Sequence, residues 1–235
     1  MRANASRPSL AGLRRRPIPA AALGLLLAIA PPRLESAVVG KAAPAFELRS
    51  LDGKTFRLSD LKGKVVVLEW LNPECPYCAY SHGKSGTLKS YIDQLRGKGI
   101  AWISIVSEGP EREGGKPEHV RKFVDEVGIK GTVLVDAEGK VGRSFGAKTT
   151  PQVCLISERG VLVYRGAPDN APLGKVERNE ARRNYVAAAL ADLTSGHAVT
   201  QPEVKPYGTP IQYARAKFAE KDRGAAGPES PPAPR

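Results

Sequence analysis

Hydrophobic positions along the chain follow two periods in turn. Val65, Val66, Val67, Leu68, Glu69, Trp70 and Leu71 form a near-continuous apolar run, the pattern of a strand covered on both faces and hence of a buried parallel sheet. Shorter strand signals at Phe46 to Arg49 and Thr55 to Leu58 flank the turn residues Asp52 and Gly53 and predict a hairpin. Helical spacing takes over from Pro76 to about Leu95, with Leu88, Tyr91, Ile92 and Leu95 on one face and with Gly83 and Gly86 placed to bend or interrupt it. Ile100 to Ser107 reads as the next strand. A helix then opens at Pro117 with Val120, Phe123, Val124 and Val127 at i, i+3, i+4 and i+7, and a strand over Thr132 to Val135 follows. Gln152 to Ser157 and Val161 to Arg165 pair around Arg159 and Gly160, and a last helix runs from about Asn179 to Thr194, stopped by Gly196. The order β-β-β-α-β-α-β-(α)-β-β-α predicts an α/β fold with a mixed central sheet and helices on both faces.

The two ends depart from this pattern. Arg14, Arg15 and Arg16 precede an uncharged stretch from Ile18 to Ala30, which matches the basic and apolar regions of a secretory signal. Residues 1–37 are therefore expected to be a signal peptide, or an N-terminal anchor if it is not cleaved, and the protein is expected to be periplasmic or secreted. From Ala214 to Arg235 the chain is basic and Pro-rich without apolar periodicity, a solvated tail. The folded domain is then 38–213. No apolar run reaches the roughly 18 residues of a membrane-spanning helix, which excludes a multi-pass protein.

Composition narrows the partners. The chain has 235 residues, 41% of them apolar, which argues against wholesale disorder. Five of its twelve net positive charges fall in residues 1–37, and the rest are scattered with no basic stripe among aromatics, so no nucleic-acid partner is expected. Three cysteines are too few for a disulfide-stapled scaffold, and a cysteine pair must be explained by chemistry.

That chemistry concentrates at Cys75-Pro76-Tyr77-Cys78, between the buried strand and the helix that follows. A three-residue separation on a helix sets both sulfurs on one face, within reach of a disulfide after modest adjustment. Cys75 falls at the helix entrance, where unpaired amides and the macrodipole favour an anion, and Pro76 fits the first turn because its missing donor costs nothing there. A free cysteine is only about 3% thiolate at pH 7, and a pKa about two units lower requires roughly 2.7 kcal/mol. A dipole contribution of roughly 0.3 to 1 kcal/mol falls short, so hydrogen bonds from the helix amides and the Cys78 thiol must supply the rest. A four-ligand zinc site needs further ligands at suitable spacing. Only Cys154 and the dispersed His82, His119 and His197 remain, so no metal is expected, and no cofactor.

A buried strand, Cys-Pro-Tyr-Cys, a helix, and Thr150-Pro151 opening a later strand together resemble the thioredoxin superfamily, in which a cis-proline faces the active-site cysteines. The resemblance implies that Thr150 offers backbone hydrogen bonds to an extended substrate segment and that Pro151 keeps other side chains off the sulfurs; the alternative is an ordinary trans proline at an edge strand. The span from Cys75 to Pro151 exceeds what a minimal thioredoxin needs, and the Pro117 to Val135 helix and strand fill it as an insertion. This is similar to the redoxin branch. Trp70-Leu71-Asn72-Pro73-Glu74-Cys75-Pro76, Gly146-Ala147-Lys148-Thr149-Thr150-Pro151 and Lys205-Pro206-Tyr207-Gly208 resemble secreted bacterial thioredoxin-like proteins. Such relatives often keep only the first cysteine of the pair and carry another after Pro-Tyr-Gly; here Cys78 is present and Thr209 holds the distal place.

The resemblance implies a thiol-disulfide oxidoreductase. Cys75 would attack a substrate disulfide, Cys78 would resolve the mixed disulfide, and Pro76 and Tyr77 would border the sulfurs. Its partners would be extracytoplasmic protein disulfides and a thiol electron donor, soluble or membrane-bound. Glu69, six positions before Cys75, matches the buried acid that relays protons to the second cysteine. It is either buried without a charged partner, or salt-bridged or partly exposed. Trp70 is expected in the core, Tyr77 at the contact surface and Cys154 as an inert hydrophobe, while His82, four positions after Cys78, is either polar surface or a residue that tunes the thiols. Two other classes compete. A peroxiredoxin-type thiol peroxidase would oxidise Cys75 to a sulfenic acid, but Leu68 and Asn72 stand where its Pro and Thr would be. A copper-binding assembly protein would use Cys75, Cys78 and a histidine.

Overall fold

The computed structural model describes residues 36–83, 86–95 and 97–214. The expected signal segment up to residue 35 and the tail from residue 215 lie outside them.

Seven strands form the main sheet: β1 Glu47–Ser50, β2 Thr55–Arg57, β3 Val65–Trp70, β4 Ile100–Val106, β5 Thr132–Val135, β7 Gln152–Ile156 and β8 Leu162–Gly166, in the spatial order β2-β1-β5-β4-β3-β7-β8. β3, β4 and β5 run parallel, while β1 and β7 join them antiparallel. This is the mixed α/β sheet that the pattern predicts, with the inserted β5 seated between β4 and the hairpin. All six residues of β3 are buried, the consequence of a central strand flanked by β4 and β7 and covered above and below. Its side chains alternate. Val66, Leu68 and Trp70 enter one core with Ile103, Leu134, Val141 and Phe145, whereas Val65 and Val67 face the other with Leu95, Val186 and Leu190. Trp70 is wholly buried and lies 5.7 Å from the Phe145 ring.

The helices are α1 Pro76–His82, α2 Thr87–Leu95, α3 Pro117–Val127, α4 Lys140–Ser144 and α5 Tyr185–Thr194. α4 packs on the Trp70 side and α2 and α5 on the Val67 side, so helices cover both faces. The long helix expected from Pro76 breaks in two at Gly83 and Gly86. At Gly86 a Cβ would stand 2.1 Å from the Ser81 carbonyl oxygen, a close approach open only to glycine.

Two expectations need correction. The last helix does not begin near Asn179: that residue has a positive φ of 71°, and Asn184 is the N-cap, its side chain accepting from the Ala187 amide at 2.8 Å. The preceding turn is tied instead to Asn170, which bonds Ala181 and Arg183. The C-terminal part of the domain also adds a small sheet that no periodicity announces. β9 Thr209–Pro210 pairs antiparallel with β6 Thr149–Thr150, Thr150 opposite Thr209.

Candidate active site

The parallel strands end where α1 begins, and the chain turns there through Asn72-Pro73-Glu74. The Asn72 side chain fixes that turn by accepting from the Glu74 amide at 2.8 Å and donating to buried Glu108 at 2.9 Å. Cys75 follows as the N-cap of α1, with Pro76 at the first helical position, the arrangement in which a side-chain acceptor meets orphan helix amides. Its sulfur accepts from the Cys78 amide at 3.4 Å.

The Thr150-Pro151 bond is cis, and Thr150 lies against the cysteines, its carbonyl oxygen 2.9 Å from the Cys75 sulfur. A carbonyl accepts only from the thiol and so opposes ionisation. Donors outweigh it. The Cys78 thiol first of all, then the hydroxyls of Thr150 and Thr209 and the Cys78 amide, bring the Cys75 pKa down to about 5 against the opposing effect of burial. Cys78 moves the other way: burial, then its bond to Cys75 and the charges of Cys75 and Glu69, push its thiol well above the ordinary range. One sulfur is thus kept as thiolate and its neighbour as thiol, both without solvent exposure, and no disulfide joins them in this reduced form.

Most of the expected site residues converge here. Tyr77 is half-buried, its ring 5.7 Å from that of Tyr207, and Pro76 is exposed beside it. Thr150 is already engaged by Thr209 through the β6–β9 pair. Cys154 is buried in β7 with its thiol pushed up to about 12 by desolvation, the inert hydrophobe expected.

Glu69 and His82 resolve differently. Glu69 is fully buried and paired: His82 Nε2 lies 2.6 Å from its Oε1, and Trp102 Nε1 donates to its Oε2 at 2.9 Å. His82 is not polar surface. It sits on α1 one turn beyond Cys78 and only 1% of it is exposed, because α1 packs the Cys78–His82 face onto the sheet. The i, i+4 spacing from a cysteine held at the site was the available signal. Sequence reasoning gave Thr209 only the place of a distal cysteine, not a bond to the Cys75 sulfur, and missed Glu108. Glu108 follows β4, bonds Asn72 and the Gln212 amide, and has its carboxyl raised chiefly by burial.

Comparison with known proteins agrees with this geometry. The Redoxin family model matches residues 38–183. The thiol:disulfide interchange protein DsbE of Yersinia pestis is 32% identical over 143 residues, which cover 59% of this chain and 69% of that protein; its Escherichia coli counterpart is 30% identical over 146 residues, 60% and 72% of the two chains. Among solved structures, an uncharacterized conserved protein from Geobacillus kaustophilus superposes with a TM-score of 0.65 at 26% identity, over 75% of this chain and 92% of that one. A hypothetical protein from Sinorhizobium meliloti gives the same TM-score at 23% identity, over 77% and 97%. The matched residues include Glu69, both cysteines and the Thr150-Pro151 bond, and the chain is a member of the Redoxin family, a thiol-disulfide oxidoreductase.

Proposed function

We propose that this protein exchanges disulfides with proteins outside the cytoplasm through Cys75 and Cys78. The observation that carries the reading is the unequal pair: a thiolate at Cys75 and a buried thiol at Cys78 in one turn of α1. Cys75 attacks a substrate disulfide, forming a mixed disulfide and releasing one substrate thiolate. Cys78 then loses its proton and attacks the Cys75 sulfur. The second substrate thiol leaves, and the Cys75–Cys78 disulfide carries away the two electrons' worth of oxidation. A thiol donor restores the dithiol. Residues Pro76, Tyr77, Thr150 and Pro151 border the attacked sulfur as the substrate-binding rim, and the apolar segment after Arg16 supports export. In Cys78→Ser, incubation with a disulfide-bearing protein should accumulate a covalent Cys75 adduct visible on a non-reducing gel; undiminished multiple turnover by that variant would refute the assignment.

One observation favours a second, smaller substrate. Cys75 is wholly buried and the edge of β6 is filled by β9, which suits an oxidant as small as a hydroperoxide. Peroxide consumption coupled to a thiol donor tests it. The copper reading needs a histidine at the sulfurs; His82 is turned to Glu69, and no group of three metal-ligating side chains occurs among the described residues.

A further inference from the structure

Exchange through Cys78 leaves a proton to be disposed of inside the core. The Cys78 thiol has no solvent contact, and neither does Glu69, whose charge acts on it. A carboxylate that accepts this proton must pass it on before the next turnover, and Glu69 is enclosed by β3, β4 and α1. Its two oxygens are committed, Oε2 to the Trp102 indole, which can only donate, and Oε1 to His82 Nε2 at 2.6 Å. The Oε1···Nε2 contact is a hydrogen bond whose donor is set by the tautomer of the imidazole. Beyond it, His82 Nδ1 is buried and has no hydrogen-bond partner among the described residues, an arrangement that needs an explanation in a folded protein.

His82 also lines a cavity of about 20 Å³, enough for a single water. Its walls run from buried His82 and half-buried Ile92 to the exposed side chains of Asp93 and Lys130. The charged and titratable groups facing the histidine are therefore Cys78 on its own helix, Glu69 on β3, Lys89 and Asp93 on α2, and Lys130 before β5, with the Trp102 indole on β4. The lysine Lys89 is held to Asp93 and the Gly128 carbonyl.

We propose that His82 is a positioning and proton-carrying residue of the exchange reaction, moving the Cys78 proton from Glu69 Oε1 to water in the cavity beneath α2. The inference rests on the dithiol exchange proposed above. In the resolving step, which starts with a proton on Nδ1 and another between Oε1 and Nε2, the Cys78 S–H bond breaks and its proton goes to Glu69; the proton at Oε1···Nε2 settles on Nε2, and Nδ1 releases its own to solvent. The sulfur pair forms the new S–S bond, and the substrate sulfur leaves with the electron pair of the broken one. When the thiol donor reduces the Cys75–Cys78 disulfide, Glu69 returns a proton to the Cys78 sulfur and Nδ1 takes one up from solvent, so the reductive half-reaction restores the starting state, a role to which histidine is suited.

A symmetric thionitrobenzoate disulfide separates the two steps by colour. The first equivalent of aryl thiolate reports attack by Cys75, and the second reports attack by Cys78. In His82→Gln, which can donate to Glu69 but cannot relay, the second phase should slow about tenfold or more at pH 7 and rise with hydroxide, while the first phase stays within about twofold. In His82→Ala, added imidazole should restore the second phase. Glu69→Gln should give the same second-phase deficit, and combining it with His82→Gln should slow the reaction no further, because both lie on one path. Unchanged second-phase rates and pH profiles would overturn the proposal, as would equal slowing of both phases without imidazole recovery, or additive losses in the double variant. A failure of the exchange reading itself looks different: wild-type protein would then release no second equivalent at any pH.

Discussion

At the scale of single residues the three cysteines are one chemical group in three environments. With a pKa of about 5, Cys75 is about 99% thiolate at pH 7, whereas Cys154, pushed up to about 12, is ionised in roughly one molecule in 100,000. Brief treatment of the reduced native protein with iodoacetamide at pH 7 should therefore label Cys75 at least about a hundredfold faster than Cys154, and the Cys75 rate should fall as the pH drops through about 5. Peptide mass mapping reads both; comparable labelling of Cys154 would contradict the assigned environments. Most of this was legible beforehand. Cys75 and Cys78 declare themselves by spacing and by their place after a buried strand, and Cys154 by its apolar neighbours. His82 did not, because a polar residue four positions from Cys78 shares its face, but only packing reveals that the face is covered. Glu69 was ambiguous for the same reason, since its partner lies thirteen positions away.

Elements held by local periodicity were the readable ones. The β1–β2 hairpin, β3, α3 and β5 appear within a residue or two of where the hydrophobic pattern sets them. β6 and β9 are two residues each and pair across some 59 positions, too short to show a period and too distant for a turn to announce. That pair nevertheless closes the site. Thr209 reaches the Cys75 sulfur from β9, the Thr149 hydroxyl donates to the Tyr207 carbonyl at 3.0 Å, and Tyr207 donates to Asp169 at 2.7 Å. Gly208 makes the approach feasible. Its φ is 123°, and a Cβ there would stand 2.0 Å from the Thr150 carbonyl oxygen, so an added methyl must lift β9 away or strain the backbone by roughly 1 to 3 kcal/mol. Gly208→Ala should lower the urea midpoint and speed the reaction of Cys75 with a bulky maleimide. If the maleimide rate stays at the wild-type value while the midpoint falls, β9 is not the cover over the sulfur.

The redox state ties the site to the stability of the whole molecule. In the reduced form Cys75 has a folded pKa of about 5 against an ordinary value of 9.0. A depressed pKa contributes stability that is complete above the unfolded value and disappears as pH falls through the folded one, with a slope of up to about 1.4 kcal/mol per pH unit between them. At pH 7 that amounts to roughly 2.7 kcal/mol, and near pH 5 to almost nothing. Cys78, held above its ordinary range, is protonated in both folded and unfolded chains until the pH passes about 9, and only there does it begin to oppose. The oxidised form has no thiolate to stabilise, but its Cys75–Cys78 link restrains the unfolded chain. Because the closed loop spans only four residues, that restraint is worth about 2 kcal/mol and does not vary with pH. The two contributions therefore cross. Below about pH 6 the oxidised protein should be the more resistant to urea, and from pH 7 towards 9 the reduced one should overtake it, with the difference in unfolding free energy rising along the same slope. Groups such as Glu108 and Asp136, whose carboxyls are raised chiefly by burial, act in both redox forms and largely cancel in that difference. Parallel urea titrations of the two forms at pH 5, 7 and 9 would measure it. A pH-independent gap would mean that Cys75 ionises alike in the folded and unfolded chains, and one that shifts toward the reduced form as pH rises that the fold itself stabilises the thiolate on this sulfur.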